Sequence, residues 1–219
     1  MKKSIWSLAC LFVGTANATV ITNGSFETGD FTGWVTQDIA TPPVAVQVNS
    51  AGVSRGFGFF DSAPTDGQFA ALHGFDGFGP GAIRISQDIT VTNQSTIAFD
   101  DRAAWDLTFD ANNIIDRTFD VNIETAGGGA NLANFNILVA NAGTQILDSG
   151  DVFASVDLSG FVGQTVNLNF DWYIPQQTTG PAFFQLDNVR ATAAVPAPVG
   201  IMLLGMGLVG LGFMRKKQQ

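Results

Sequence analysis

"TVNLNFDW", residues 165–172, alternates without a break: Val166, Leu168, Phe170 and Trp172 fall on one side of an extended chain, Asn167, Asn169 and Asp171 on the other. Successive side chains of a strand point to opposite faces, so this period predicts a strand with one dry face and one polar face. The same alternation recurs in "RTFDVNIET" (Phe119, Val121, Ile123), in "AIRISQDITV" (Ile83, Ile85, Ile89 and Val91, interrupted by Gln87), in "DVFASVDL" (Val152, Ala154, Val156, Leu158) and in "STIAFDD" (Ile97, Phe99). No interior segment sustains helical spacing for three turns. Roughly eight or more short strands, parted by Gly, Asn, Asp and Pro clusters, predict an all-β fold: an antiparallel β-sandwich whose two inner faces make the core. "ETAGGGANLAN", around residues 127–129, reads as a hairpin loop.

The two ends differ from this body. Lys2 and Lys3, an apolar run over residues 5–13 and the small-x-small triplet Ala16-Asn17-Ala18 compose an export signal over residues 1–18. The one cysteine, Cys10, leaves with it, so the mature chain has neither disulfide nor thiolate chemistry. At the other end, residues 199–214 are uncharged and hold five glycines, bounded by Pro196-Ala197-Pro198 and by Arg215-Lys216-Lys217. A bilayer core takes about 20 residues of helix, about 17 at the least, so residues 199–214 predict a short transmembrane helix with its cations in the cytoplasm.

A proline-flanked tripeptide, a short apolar helix and a terminal basic cluster, on a chain with an export signal, resemble the PEP-CTERM sorting signal of Gram-negative bacteria. The resemblance covers residues 194–219, with Ala197 where the family has Glu. It implies an exosortase-type processing enzyme as partner and a path from inner-membrane anchorage to the cell surface or extracellular matrix. A plain membrane anchor is the other reading.

Charge narrows the partners. The nineteen carboxylates all lie in residues 27–187, and five arginines are the only cations of residues 19–193, which leaves that segment at a formal −14. Such a field repels phosphate backbones and anionic lipids, so the sequence predicts no nucleic-acid partner and leaves divalent cations and sugars as candidates.

Within residues 19–193, "NGSFETGDFTGW" (residues 23–34), "VDLSGFVGQTVNLNFDW" and "FFQLDNVRAT" resemble the first and last strands of carbohydrate-binding modules with a galactose-binding-like jelly roll. The resemblance implies a structural calcium ion held by Glu27 and Asp187. Exposed aromatic rings stack on sugars, and here the candidates are Trp105, Phe75 and Phe78, the last two in a Phe- and Gly-rich stretch with His73. Core packing is the competing reading for each ring. His73 is the sole histidine, and no nucleophile elbow or paired-His spacing occurs, so no catalytic residue is assigned. The expectation is an exported, non-catalytic surface or matrix protein associated with polysaccharide. A secreted glycoside hydrolase and a purely structural, self-associating matrix protein are the alternatives.

Overall fold

The computed structural model describes residues 18–39, 44–54, 58, 60–74, 79–108, 114–176 and 180–193. Among these the chain forms β1 (Val35–Gln37), β2 (Gln47–Ser50), β3 (Phe69–His73), β4 (Gly81–Thr90), β5 (Thr96–Asp106), β6 (Arg117–Thr125), β7 (Asn131–Ala140), β8 (Gln145–Ile146), β9 (Val152–Asp157), β10 (Thr165–Ile174) and β11 (Ala182–Thr192). The expected export signal lies outside the described residues up to Asn17. So do Phe75, Phe78, Pro196, Ala197, Pro198, the helix of residues 199–214 and Arg215, Lys216 and Lys217. No helix among the described residues is long and apolar enough to cross a membrane.

The strands form two antiparallel sheets, ordered β1-β4-β10-β6-β7 and β2-β3-β11-β5-β8, with β9 also on β5. The chain passes repeatedly from one sheet to the other, in keeping with the sandwich expected from the alternation. The dry face of β10 is fully inside: Leu168, Phe170 and Trp172 are all 0% exposed. Opposite them stand Phe99 and Phe184, and the Phe119 ring stacks on Phe184 with centroids 3.4 Å apart. Each such ring stabilises the fold by about 2–3 kcal/mol through its burial alone. Gln87, the polar interruption in β4, also points inward. Its amide donates to the carbonyls of Thr22 and Gly33 and accepts from the Thr22 N–H, so the N-terminal segment satisfies it.

"NGSFE" is not the strand that the resemblance implied. It makes turns, with Asn23 and Phe26 at positive φ, and it docks on the last strand. There β11 bulges after Asp187, Val189 N–H donates to the Gly24 carbonyl at 2.9 Å, and a Cβ on Gly24 would sit 1.9 Å from the Val189 oxygen. Only glycine allows that approach.

The six-stranded sheet is covered on both sides. Its outer face carries a second small core of Phe60, Leu72, Ala104 and Phe183, over which residues 60–68 are folded. Gln185 holds this cover by bonds to both the N–H and the carbonyl of Ala63, and Arg102 holds it by a bond to the Asp61 carbonyl. The five-stranded sheet has no such cover among the described residues, which leaves its outer face as the open one.

Two buried titratable groups set opposing pH slopes. His73, expected on a loop, lies on β3 between Phe119 and Phe184, and burial depresses its pKa to about 4. Its contribution is present above the unfolded value near 6.5 and is lost as pH falls towards about 4. Asp101 points inward from β5 at 3% exposure, and burial, with Asp100 adding to it, raises its pKa to about 7. Stability from that group is full below the unfolded carboxyl value and is lost as pH rises through about 7. Asp101→Asn is therefore expected to raise Tm at pH 8 by a few degrees, on the order of 1 kcal/mol after solvent screening. The gain should vanish at pH 4; thermal melts at the two pH values check this, and an equal gain at both would refute it.

Candidate functional site

Alternation turns Asn167, Asn169, Asp171 and Tyr173 outward from β10, and the register arranges their neighbours in rows. Asn167 is flanked by Asp88 of β4 and Glu124 of β6; Asn169 by Ser86 and Asn122, with Val35 and Asn134 beyond them. Asp171 is flanked by Arg84 and Asp120, with Gln37 and Asn136 beyond; Tyr173 by Ala82 and Thr118. Although they face outward, Asn169 is 0% exposed, Asp171 4%, Asn167 7% and Glu124 8%.

Two of them lie at the bottom of a depression. Asn167 and Asn169 line a trough of about 380 Å³ whose walls include Gln37, Arg84, Asp88 and Gly127. A wider groove of about 640 Å³, lined by Val20, Thr22 and Thr90, meets it at Gly33, Gln87 and Asp88. The β6–β7 turn hangs over one end. Gly127 and Gly128 take φ of +80° and +76°, a region that costs any other residue strain, and Gly127 N–H donates to both oxygens of Asp88 at 3.0 and 3.1 Å.

Hydrogen bonds tie the side chains of this sheet face to one another. The Arg84 guanidinium donates twice to Asp171, at 2.7 Å each, and reaches Glu124 at 2.9 Å, contacts that raise its already high pKa, those to Asp171 most. Asn122 donates to Asp171 at 2.8 Å, and Asn134 donates to Asn122 Oδ1 at 2.7 Å. Asn136 donates to Asp120 at 2.9 Å, Asn167 to Asp88 at 2.7 Å, and Asn169 to two backbone carbonyls at 3.2 Å each. Asn169 Oδ1 is buried with no partner among the described residues.

Chemically this face holds planar amides and carboxylates fixed by mutual bonds, with one aromatic ring at the end. Tyr173, the sole tyrosine, is 43% exposed and stands one row beyond Asp171. Both oxygens of Asp171 are taken up by Arg84 and Asn122, which leaves this carboxylate structural and not a proton donor to substrate.

Trp105, the one aromatic candidate from the sequence among the described residues, is elsewhere. Trp105 is 4% exposed, pairs with β11 and β8, and donates its indole N–H to Thr144. Its ring belongs to the core, because inward alternation along β5 includes it. Glu27 and Asp187 do come together, on one loop. Glu27 Oε1 accepts from Gln68 N–H at 2.8 Å and Phe69 N–H at 2.9 Å, and Asp187 Oδ2 accepts from the N–H groups of Thr65 (2.7 Å) and Asp66 (3.0 Å) and from the Thr65 hydroxyl (3.2 Å).

No cationic side chain pairs with either among the described residues, and burial pushes the Asp187 carboxyl up against the pull of its hydrogen bonds. The charge there suits a hard cation. Two carboxylates supply part of the six to eight oxygens that calcium takes, and no three of His, Cys, Asp and Glu converge on a metal position among the described residues.

Alternation gives Asn167, Asn169 and Asp171 only as the polar face of a strand and does not reveal the trough. A signal was present. Asn and Asp are poor strand formers, and their repetition at alternate positions of two neighbouring strands, with a single Arg among them, costs the sheet something that a Thr or Lys face would not.

No family model matches the chain, and no curated protein matches it in sequence. Solved structures do match in shape. TmCBM61 in complex with β-1,4-galactotriose is 12% identical, with a TM-score of 0.47, over 80% of this chain and 97% of that one. The family 11 carbohydrate-binding module from Clostridium thermocellum, in complex with a β-1,3-1,4-mixed-linked tetrasaccharide, is 10% identical, with a TM-score of 0.45, over 82% and 97%. A Stig cyclase from Fischerella sp. TAU is 15% identical, with a TM-score of 0.47, over 80% and 96%.

Proposed function

We propose that this is an exported, non-catalytic protein that associates with polysaccharide through the trough on the five-stranded sheet. The observation that carries it is the trough itself, where Asp171 fixes Arg84 and Asp88 fixes Asn167 with the exposed Tyr173 ring one row beyond Asp171, because sugar recognition joins fixed polar groups to a ring face. Tyr173 supplies the ring face on which a pyranose stacks. Export over residues 1–18 and sorting of residues 194–219 by an exosortase-type enzyme complete the reading, and mass spectrometry of the mature protein tests it: an intact Arg215-Lys216-Lys217 end would sink the sorting step.

Binding is tested on a glycan array with the full chain in a zwitterionic detergent. Asp88→Ala and Tyr173→Ala are each expected to weaken the positive interactions about tenfold or more, since each removes a group that this face exposes to a ligand. Tyr173→Ala should do so with an unchanged Tm. Release of reducing sugar from a bound glycan would favour the hydrolase alternative, and no binding to any glycan would remove the proposal.

A further inference from the structure

The cover over Phe183 and Ala104 leaves the β9 end of the six-stranded sheet's outer face open. Ala154 and Val156, opposite Phe99 and Ile97, pack into the core, so Phe153 and Ser155, opposite Asp100 and Ala98, face out. Phe153 is 62% exposed, the one phenylalanine so placed among the described residues. Its ring is nonetheless held, by bonds that cross three strands. Asn188, at φ +53° in the β11 bulge, donates to Asp100 at 2.9 Å and accepts on its carbonyl from Arg190 Nη1 at 2.8 Å. The Arg190 guanidinium in turn lies 5.4 Å from the Phe153 ring centroid. Arg190 differs from the other arginines of the described residues. Arg84 is bound by Asp171 and Glu124, Arg102 by Asp148, and Arg117 is buried. Arg190 makes no ion pair among the described residues, and its one hydrogen bond there is that to Asn188. In a segment holding nineteen carboxylates, its Nε and Nη2 donors stand uncommitted beside an open ring.

We propose, resting on the carbohydrate reading above, that Phe153 and Arg190 form a second sugar subsite that takes a pyranose of a neutral polysaccharide. The phenyl ring receives the C–H face of the sugar. A guanidinium has donors and no acceptor, so what it takes from a ligand is oxygen, and the hydroxyl and ring oxygens at the edge of a stacked pyranose supply it. A uronate is the stronger acceptor, but a polyanion has to approach a segment at a formal −14. The subsite and the trough lie on outer faces of opposite sheets, so a strand in one does not reach the other. One domain then carries a strand on each face and links them.

The test places a reporter in the subsite. In Phe153→Trp the new indole is exposed while Trp34, Trp105 and Trp172 are buried, so a shift of emission during titration reads this site. The probes are β-1,4-linked hexamers of glucose, galactose and N-acetylglucosamine and an α-1,4-linked galacturonate hexamer, added to the full chain in a zwitterionic detergent. At least one neutral hexamer should shift the emission to the blue, with the same affinity after Tyr173→Ala is added to disable the trough, and galacturonate should leave it unmoved. Arg190→Lys keeps the charge and loses the planar fork, and should weaken that hexamer about tenfold. If no neutral hexamer moves the emission while glycans still bind on the array, the second subsite falls and the carbohydrate reading stands. A shift with galacturonate alone overturns the neutral class, and an unchanged affinity in Arg190→Lys overturns the part given to the guanidinium. Loss of the shift with Tyr173→Ala makes the signal the trough's own and overturns the subsite. Failure of every glycan, here and on the array, overturns both.

Discussion

Replacing Arg84 by methionine is expected to lower the stability of the domain by about 3 kcal/mol, on the order of 10 °C in Tm, and to abolish glycan binding. The reason is an asymmetry of buried ion pairs. Arg84 keeps a quarter of its side-chain surface, but its partners Asp171 and Glu124 are 6% and 11% exposed in their side chains. With the guanidinium gone, two nearly buried carboxylates lose the cation between them, and among the described residues Asn122 still donates to Asp171. Removing all three charges together is a different perturbation, because an uncharged set of similar volume owes no desolvation. The triple variant Arg84→Met, Glu124→Gln, Asp171→Asn should therefore recover most of the lost melting temperature while binding stays lost. Thermal melts beside titrations read the two quantities apart. A single variant that melts like the parent would show that the pair contributes nothing and that the floor is not the fixed surface described.

The same residues show where sequence reading succeeds and where it stops. Val166, Leu168, Phe170 and Trp172 announce their own burial, because one strand's period of two is a local property that the fold only has to respect. Their outward neighbours Asn167, Asn169 and Asp171 obey the same period, yet their burial depends on what rises beside them: Gln37 of β1 on one side and the Gly127–Gly128 turn on the other, contributed by segments more than thirty residues away along the chain. Local alternation separates in from out, and it does not tell an outward side chain in a trough from one in open water. Trp105 was misplaced for the complementary reason. Asp106 stands beside it in sequence, and the alternation through Ile97, Phe99 and Ala103 that puts it inside runs past a buried Asp101 and so does not look apolar.

Asp187→Ala is expected to be comparably costly, and what it breaks bears on calcium. The Asp187 carboxylate accepts from the N–H groups of Thr65, Asp66 and Asn188 and from the Thr65 hydroxyl, so alanine strands three backbone donors at once, a loss of about 3–4 kcal/mol. The cover over Phe60 and Phe183 should loosen with it, and hydrogen exchange over residues 60–69 should quicken more than anywhere in the five-stranded sheet. Unchanged protection there would refute the clasp. Glu27 separates the clasp from the ion. In Glu27→Gln the amide oxygen can still accept from Gln68 and Phe69, so the clasp survives, but one of the two charges a calcium ion would take is gone. If an ion binds here, EGTA lowers the parent's Tm by a few degrees, added calcium restores it, and Glu27→Gln shows no response to either. A parent chain whose midpoint ignores EGTA retires calcium while the loss in Asp187→Ala stands, because hydrogen bonds from the loop to a buried carboxylate hold with or without a metal.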